Sequence, residues 1–129
     1  MWDLAVAGVV RSYNLRTRYP EIPMATPLLC LSTCPDAESA GRIARALVEE
    51  RLAACVNRLP GVHSTYRWQG KVIEESEVLL AIKTTRERFD ALRERLVGLH
   101  PYEVPELVSL EITGGFGPYL DWIASETAA

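Results

Sequence analysis

The sequence is poor in cysteine and histidine, carries no excess of positive charge and contains no long apolar run. Its 129 residues include three cysteines, too few and odd in number for the disulfide framework of a small secreted domain, so a reducing, cytoplasmic setting is the expectation. The N-terminal apolar stretch Leu4 to Val10 falls far short of the ~20 residues a membrane helix requires. Arg11, Arg16 and Arg18 follow that stretch instead of preceding it, so neither an anchor nor a signal peptide is expected, and no membrane partner. The formal charge is −3, and arginines alternate with glutamates in "ALVEERL" and "RERFDALRERL". Such a surface offers nothing to a phosphate backbone, and no nucleic-acid partner is expected. Walker and Rossmann phosphate loops, H-E-x-x-H and G-x-S-x-G are all missing, and no pair of cysteines forms the C-x-x-C of a copper chaperone.

What is present suits one domain with one core, since 48% of the residues are hydrophobic and the length is near the common domain size. Residues 1–23 lack a clean period and end in "RYPEIP"; they read as an N-terminal extension, with Met24 as an alternative start and an Arg-containing transit peptide as the rival reading. The domain then spans 24–129. Leu28 to Ser32 reads as a buried strand, and Pro35-Asp36 as the start of a helix with Ala40, Ile43, Ala44, Leu47 and Val48 inward. "AACVN" follows as a short strand closed by a Pro60-Gly61 turn. Val62 to Trp68 and Lys71 to Lys83 flank Gln69-Gly70 as a hairpin.

Thr84 and Glu87 have capping-box spacing ahead of a second helix that buries Phe89, Leu92, Leu96 and Leu99 and ends before Pro101. Val104 to Thr113 reads as the last strand, and "PYLDWIASE" as a short closing helix. Strand, helix, hairpin, helix, strand in this order predicts an α+β ferredoxin-like sandwich: an antiparallel sheet, two main helices on one face and a short C-terminal helix.

The segment Lys71 to Lys83 spans roughly 40 Å when extended, longer than Val62 to Trp68 can accompany. Its surplus must find other strands or another subunit, and an exposed edge of that length is an aggregation hazard that closed assembly removes. A homo-oligomer is therefore predicted.

Chemistry-bearing side chains are few. Cys30 reads as a core residue, and Cys34, beside Pro35, as core or as a thiol of lowered pKa. Cys55 also reads as core unless His100 lies nearby, when thiolate and imidazole would suit copper or zinc. His100 is either a helix-terminal histidine on free carbonyls or, with Glu103 and Glu106, a weak divalent-cation ligand. His63 and the run Glu74, Glu75 and Glu77 read as solvated faces. Tyr66, Trp68, Tyr102, Tyr119 and Trp122 are core, interface or ligand-stacking candidates. An acid/base pair of His100 and Glu106 lacks any accompanying nucleophile.

"AACVN", "STYRWQGK", "VLLAIKTT", "HPYEVPEL" and "YLDWI", in this order and spacing over about residues 28–125, resemble the CutA family of divalent-cation tolerance proteins. The resemblance implies a ferredoxin-like subunit in a tight homotrimer built by inter-subunit strand pairing, similar to the PII signalling proteins. It implies a role in tolerance of copper and other divalent metals, no required cofactor and no catalytic activity; in animals the family is associated with membrane-enzyme anchoring. Cys55, Lys83, His100, Tyr102 and Glu106 match the family motifs, as do Tyr66, Trp68 and Gly70. Some members place a cysteine directly before the threonine ending the first strand, where this chain has Ser32, flanked by Cys30 and Cys34. Cys55, His100 and Glu106 are then the expected metal ligands, placed between subunits, and Tyr66, Trp68, Lys83 and Tyr102 the expected ligand cleft. A PII-like trimer sensing a small molecule, with no metal role, is the alternative.

Overall fold

The computed structural model describes residues 25–129; the readings made for the N-terminal extension and for Met24 lie outside the described residues. The elements are β1 (Pro27–Cys34), α1 (Ala37–Glu49), β2 (Cys55–Trp68), β3 (Lys71–Thr85), α2 (Arg86–Leu99), β4 (Val108–Glu111) and α3 (Gly117–Glu126). All strand pairs are antiparallel, in the order β2-β3-β1-β4. Each long helix thus connects two strands with a third lying between them, which is the split β-α-β arrangement expected from the element order.

Alternation along the two central strands builds the core. Leu28, Cys30, Ser32 and Cys34 of β1 are buried, as are Val78, Leu80, Ile82 and Thr84 of β3, because every second residue of a strand points to the same face. Ala40, Ile43 and Leu47 of α1 and Leu92 and Leu96 of α2 close over them. The start of α1 follows the expected chemistry: the Ser39 backbone N–H donates to Asp36 Oδ1 at 2.8 Å, satisfying one of the free donors of the first turn. Val48, expected inward, is exposed.

Three expectations need correction. "AACVN" and Val62–Trp68 are not separate strands, since β2 runs unbroken through Pro60-Gly61, with a bulge between Leu59 and Val62. Gly61 takes φ of 78° there, a conformation that costs glycine little. β2 therefore keeps pace with β3 from Trp68↔Lys71 to Cys55↔Lys83, and the partner is not used up early. The shortfall lies on the other side, where β1 accompanies β3 only from Val78 to Thr85. Along that edge Lys71–Glu77 has no strand partner among the described residues.

Secondly, the capping box does not form. Thr85 is the N-cap and makes no side-chain cap, while Thr84 still belongs to β3 and donates its hydroxyl to the Leu52 carbonyl at 2.6 Å. Tertiary burial has claimed the side chain that local spacing assigned to the helix. Thirdly, β4 is only Val108–Glu111, because residues before it are held in a loop by side-chain bonds described below.

The hairpin turn behaves as expected: Gln69 and Gly70 both have positive φ, 50° and 79°, as a two-residue turn matched to strand twist demands. The face of the sheet away from α1 and α2 carries Leu29 and Leu31, Leu59, Leu79 and Ala81, and Val108 and Leu110, by register. Leu59, Val108 and Leu110 are exposed. At the Thr85 end of this face Thr85 Oγ1 meets Thr127 Oγ1, just beyond α3, at 3.4 Å.

Replacing Thr84 with valine keeps the shape but leaves a buried carbonyl without its donor, so the chain is expected to lose about 1–3 kcal/mol of stability. Urea unfolding of the Thr84→Val protein against the parent measures it.

Candidate functional site

β2 and β3 run past the end of β1 as a ribbon, and the segment between α2 and β4 comes alongside its root. Together they enclose a cleft of about 650 Å³ lined by Thr33, by Ser64–Tyr66, Trp68 and Glu77 of the ribbon, and by Pro101–Val104 and Glu106. The register explains the convergence. Counting back from the turn, Trp68, Tyr66, Ser64 and Val62 sit opposite Lys71, Ile73, Glu75 and Glu77, so two rings and two carboxylates share one face of the ribbon.

His100 fixes the loop. It caps α2, its N–H bonded to the Leu96 carbonyl at 2.9 Å, and extended φ and ψ of −75° and 137° suit the residue before Pro101. Its buried ring accepts the Tyr102 N–H at Nδ1, 3.1 Å, so the proton sits on Nε2, which donates to the Thr33 carbonyl at 2.7 Å. The histidine expected to bond helix carbonyls bonds a strand carbonyl instead. Ser32 adds a second tie, its hydroxyl donating to the Glu106 carbonyl at 2.7 Å.

So held, Tyr102 reaches across the cleft and donates its hydroxyl to Glu77 Oε2 at 2.8 Å. Burial raises the phenol's pKa far above its usual range, and the hydrogen bond and charge of Glu77 add to the effect. Tyr66 is pushed up as well, by desolvation and then by its hydrogen bond to Glu75. Glu77, expected on a solvated face, is 6% exposed. The hairpin register could not have found it, since alternation places Glu77 on the same face as the exposed Glu75; what buries Glu77 is Tyr102, brought over it from a distant part of the chain.

The expected metal ligands are not assembled within one chain. Glu106 lines the cleft, His100 stands behind it with both ring nitrogens engaged, and Cys55 pairs with Lys83 at the far end of the sheet. Among the described residues no group of three or more His, Cys, Asp or Glu side chains could hold a metal ion. The thiol nearest His100 is Cys34 instead, with Sγ 3.8 Å from Nε2. Cys34 is fully buried, and burial, then the charges of Asp36 and Glu77, push its pKa up to about 11, opposite to the lowered value considered from its place beside Pro35. Of the expected cleft residues Tyr66, Trp68 and Tyr102 line the cavity, whereas Lys83 donates to Asn57 Oδ1 near Cys55.

The family model described as CutA1 divalent ion tolerance protein matches residues 28–126. The chain belongs to the CutA family. Over 97 residues it is 57% identical to the divalent-cation tolerance protein CutA of Thermus thermophilus, covering 75% of this chain and 94% of that one. Protein CutA of Mus musculus is 50% identical over 95 residues, 74% of this chain but 54% of the mouse protein. Among solved structures, CutA of Xylella fastidiosa superposes with a TM-score of 0.78 at 48% identity, over 81% of this chain and 100% of that one. The segment "HPYEVPEL", inside the matched region, borders the cleft through Pro101–Val104 and Glu106.

Tyr102 favours its neutral form in the fold, so its contribution to stability is complete below the unfolded phenol pKa of ~10 and is lost as pH rises above it. In an absorbance titration at 295 nm, Tyr102 is expected to ionise last, and Glu77→Gln is expected to bring that ionisation down. Equal titration in both proteins would reject the Tyr102 to Glu77 coupling.

Proposed function

We propose that the chain acts as a non-enzymatic cytoplasmic homotrimer in the response to divalent metal ions, taking up copper at sites shared between copies. The observation that carries assembly is the sheet face opposite α1 and α2, whose Leu59, Val108 and Leu110 lie exposed beside the unpartnered β3 edge Lys71–Glu77. Apolar surface of this kind on a sheet is covered in a stable protein, and a closed ring of copies covers it without leaving a strand edge to aggregate. The names of the relatives, divalent-cation tolerance proteins, support the metal role.

Cys55 and Glu106 offer accessible donors for copper, and a site using both has to be completed by a neighbouring copy. His100 joins them only by surrendering the Tyr102 N–H, since that bond occupies its free lone pair. The small-molecule sensor stands as a second reading, and the cleft favours it: about 650 Å³ with three aromatic side chains is far larger than a bare ion needs.

Light scattering on a sizing column is expected to give three times the chain mass, and Leu110→Glu to give a smaller species. Copper titration of the trimer should show uptake that falls with Cys55→Ser. His100→Phe should lower the melting temperature more than it lowers uptake. A monomeric parent, or a trimer indifferent to copper, would remove the corresponding half of the proposal.

A further inference from the structure

We propose that Arg51 is a clasp for the C-terminal helix, and that α3, turning on Thr113–Gly115, opens as a unit separate from the sheet when the clasp is lost. The contacts that carry this lie within one chain, and the inference stands apart from any reading of the cleft.

The backbone at Arg51 poses the question. Arg51 follows Glu50, the C-cap of α1, and takes φ of 58°. A left-handed residue ends many helices, and glycine is its usual occupant because a Cβ is strained there. An arginine adds nothing to such a turn that glycine lacks, so the reason for it lies in the side chain.

That side chain answers a need of a different helix. The last four carbonyls of a helix have no intrahelical donor, and the C-terminal end of the helix dipole favours a cation. α3 has no basic residue in its last turn. Thr127 closes part of the gap, its N–H bonded to the Ile123 carbonyl at 3.2 Å and its hydroxyl to the same carbonyl at 2.8 Å. Arg51 supplies more from outside: Nη2 donates to the Ser125 carbonyl at 2.9 Å and Nε to the Ala128 carbonyl at 3.2 Å. A guanidinium can serve both because its donors form a rigid planar fork. Its backbone is itself tied, since the Arg51 N–H bonds the Val48 carbonyl at 3.1 Å and its own carbonyl accepts from Arg88 Nε at 3.3 Å. One residue thus joins the end of α3 to the end of α1 and the start of α2.

The other end of α3 is a joint. The Ile112 N–H bonds the Pro27 carbonyl at 3.0 Å, and Thr113–Gly115 then belong to neither strand nor helix. Beyond them α3 is secured by the buried Pro118 and Ile123, by the Thr85 to Thr127 contact and by Arg51. An element joined to a sheet by side chains and one loop, and not by a strand ladder, is suited to open by itself about that loop.

Hydrogen exchange of the assembled full-length protein, read by mass spectrometry, tests this on peptides covering residues 119–127 of α3 and its end and residues 78–85 of β3. Arg51→Gly removes the donors together with the backbone strain, whereas Arg51→Met removes the donors and keeps the strain. Both are expected to speed exchange in 119–127 by about tenfold and to leave 78–85 at the parent's rate. Arg51→Lys, with one ammonium in place of the fork, should show a smaller rise. Exchange in 119–127 that is unchanged or slower in Arg51→Gly overturns the clasp and leaves Arg51 as a turn residue. An equal rise in both peptides overturns the separate opening of α3, because the helix would then open only with the whole fold.

Discussion

β3 has fifteen residues and β1 eight, and the cleft exists because of that difference. Where β1 stops, the β2-β3 ribbon loses its neighbour on one side, and among the described residues the ladder of β3 continues only toward β2. The space vacated is filled by the loop leaving α2, which cannot pair as a strand because Pro101 and Pro105 interrupt its donors. Side-chain ties take over from strand pairing at that point. His100 bonded to Thr33 and Tyr102, and Ser32 bonded to the Glu106 carbonyl, set the loop's distance from the ribbon.

The consequence is a division of labour between two ends of one sheet. At the Thr85 end, Thr84 and Thr127 are buried and hydrogen-bonded, and Cys55 and Lys83 lie near Asn57. At the other end rings and carboxylates face a cavity. The residues expected to form one site are thereby sorted into different places: Tyr66, Trp68, Tyr102 and Glu106 gather at the cleft, and Cys55 and Lys83 stay remote from it. Five ladder positions separate Lys83 from Val78, roughly 16 Å along a strand, which is why a thiol and an imidazole that are plausible partners on paper do not meet in one chain.

His100 illustrates how one residue type supports opposite readings. As an isolated histidine at a helix end it suits a metal or a proton. In place, it is a bridge with one nitrogen donating and the other accepting, and its value is the geometry it imposes on Tyr102. Cys34, packed against it, is likewise a small buried apolar group whose charged form is disfavoured. In this part of the molecule the residues with the richest chemistry serve to position the rings and carboxylates of the cleft.

The sequence by itself determined the alternation of strands and helices, most of both helices' buried stripes with Val48 as the exception, the Gln69-Gly70 turn and, through that turn, the register of the ribbon, because these depend on local periodicity and on backbone preferences of single residues. It also determined the family, since motifs in fixed order carry that information. Only the tertiary structure decided that β2 passes through Pro60-Gly61 without stopping, that Thr84 serves the core and not the helix, and that Glu77 is buried beneath Tyr102. Each of those outcomes is a contest between a local preference and a long-range contact, and the burial of the whole chain, not the spacing of its letters, settles which of the two prevails.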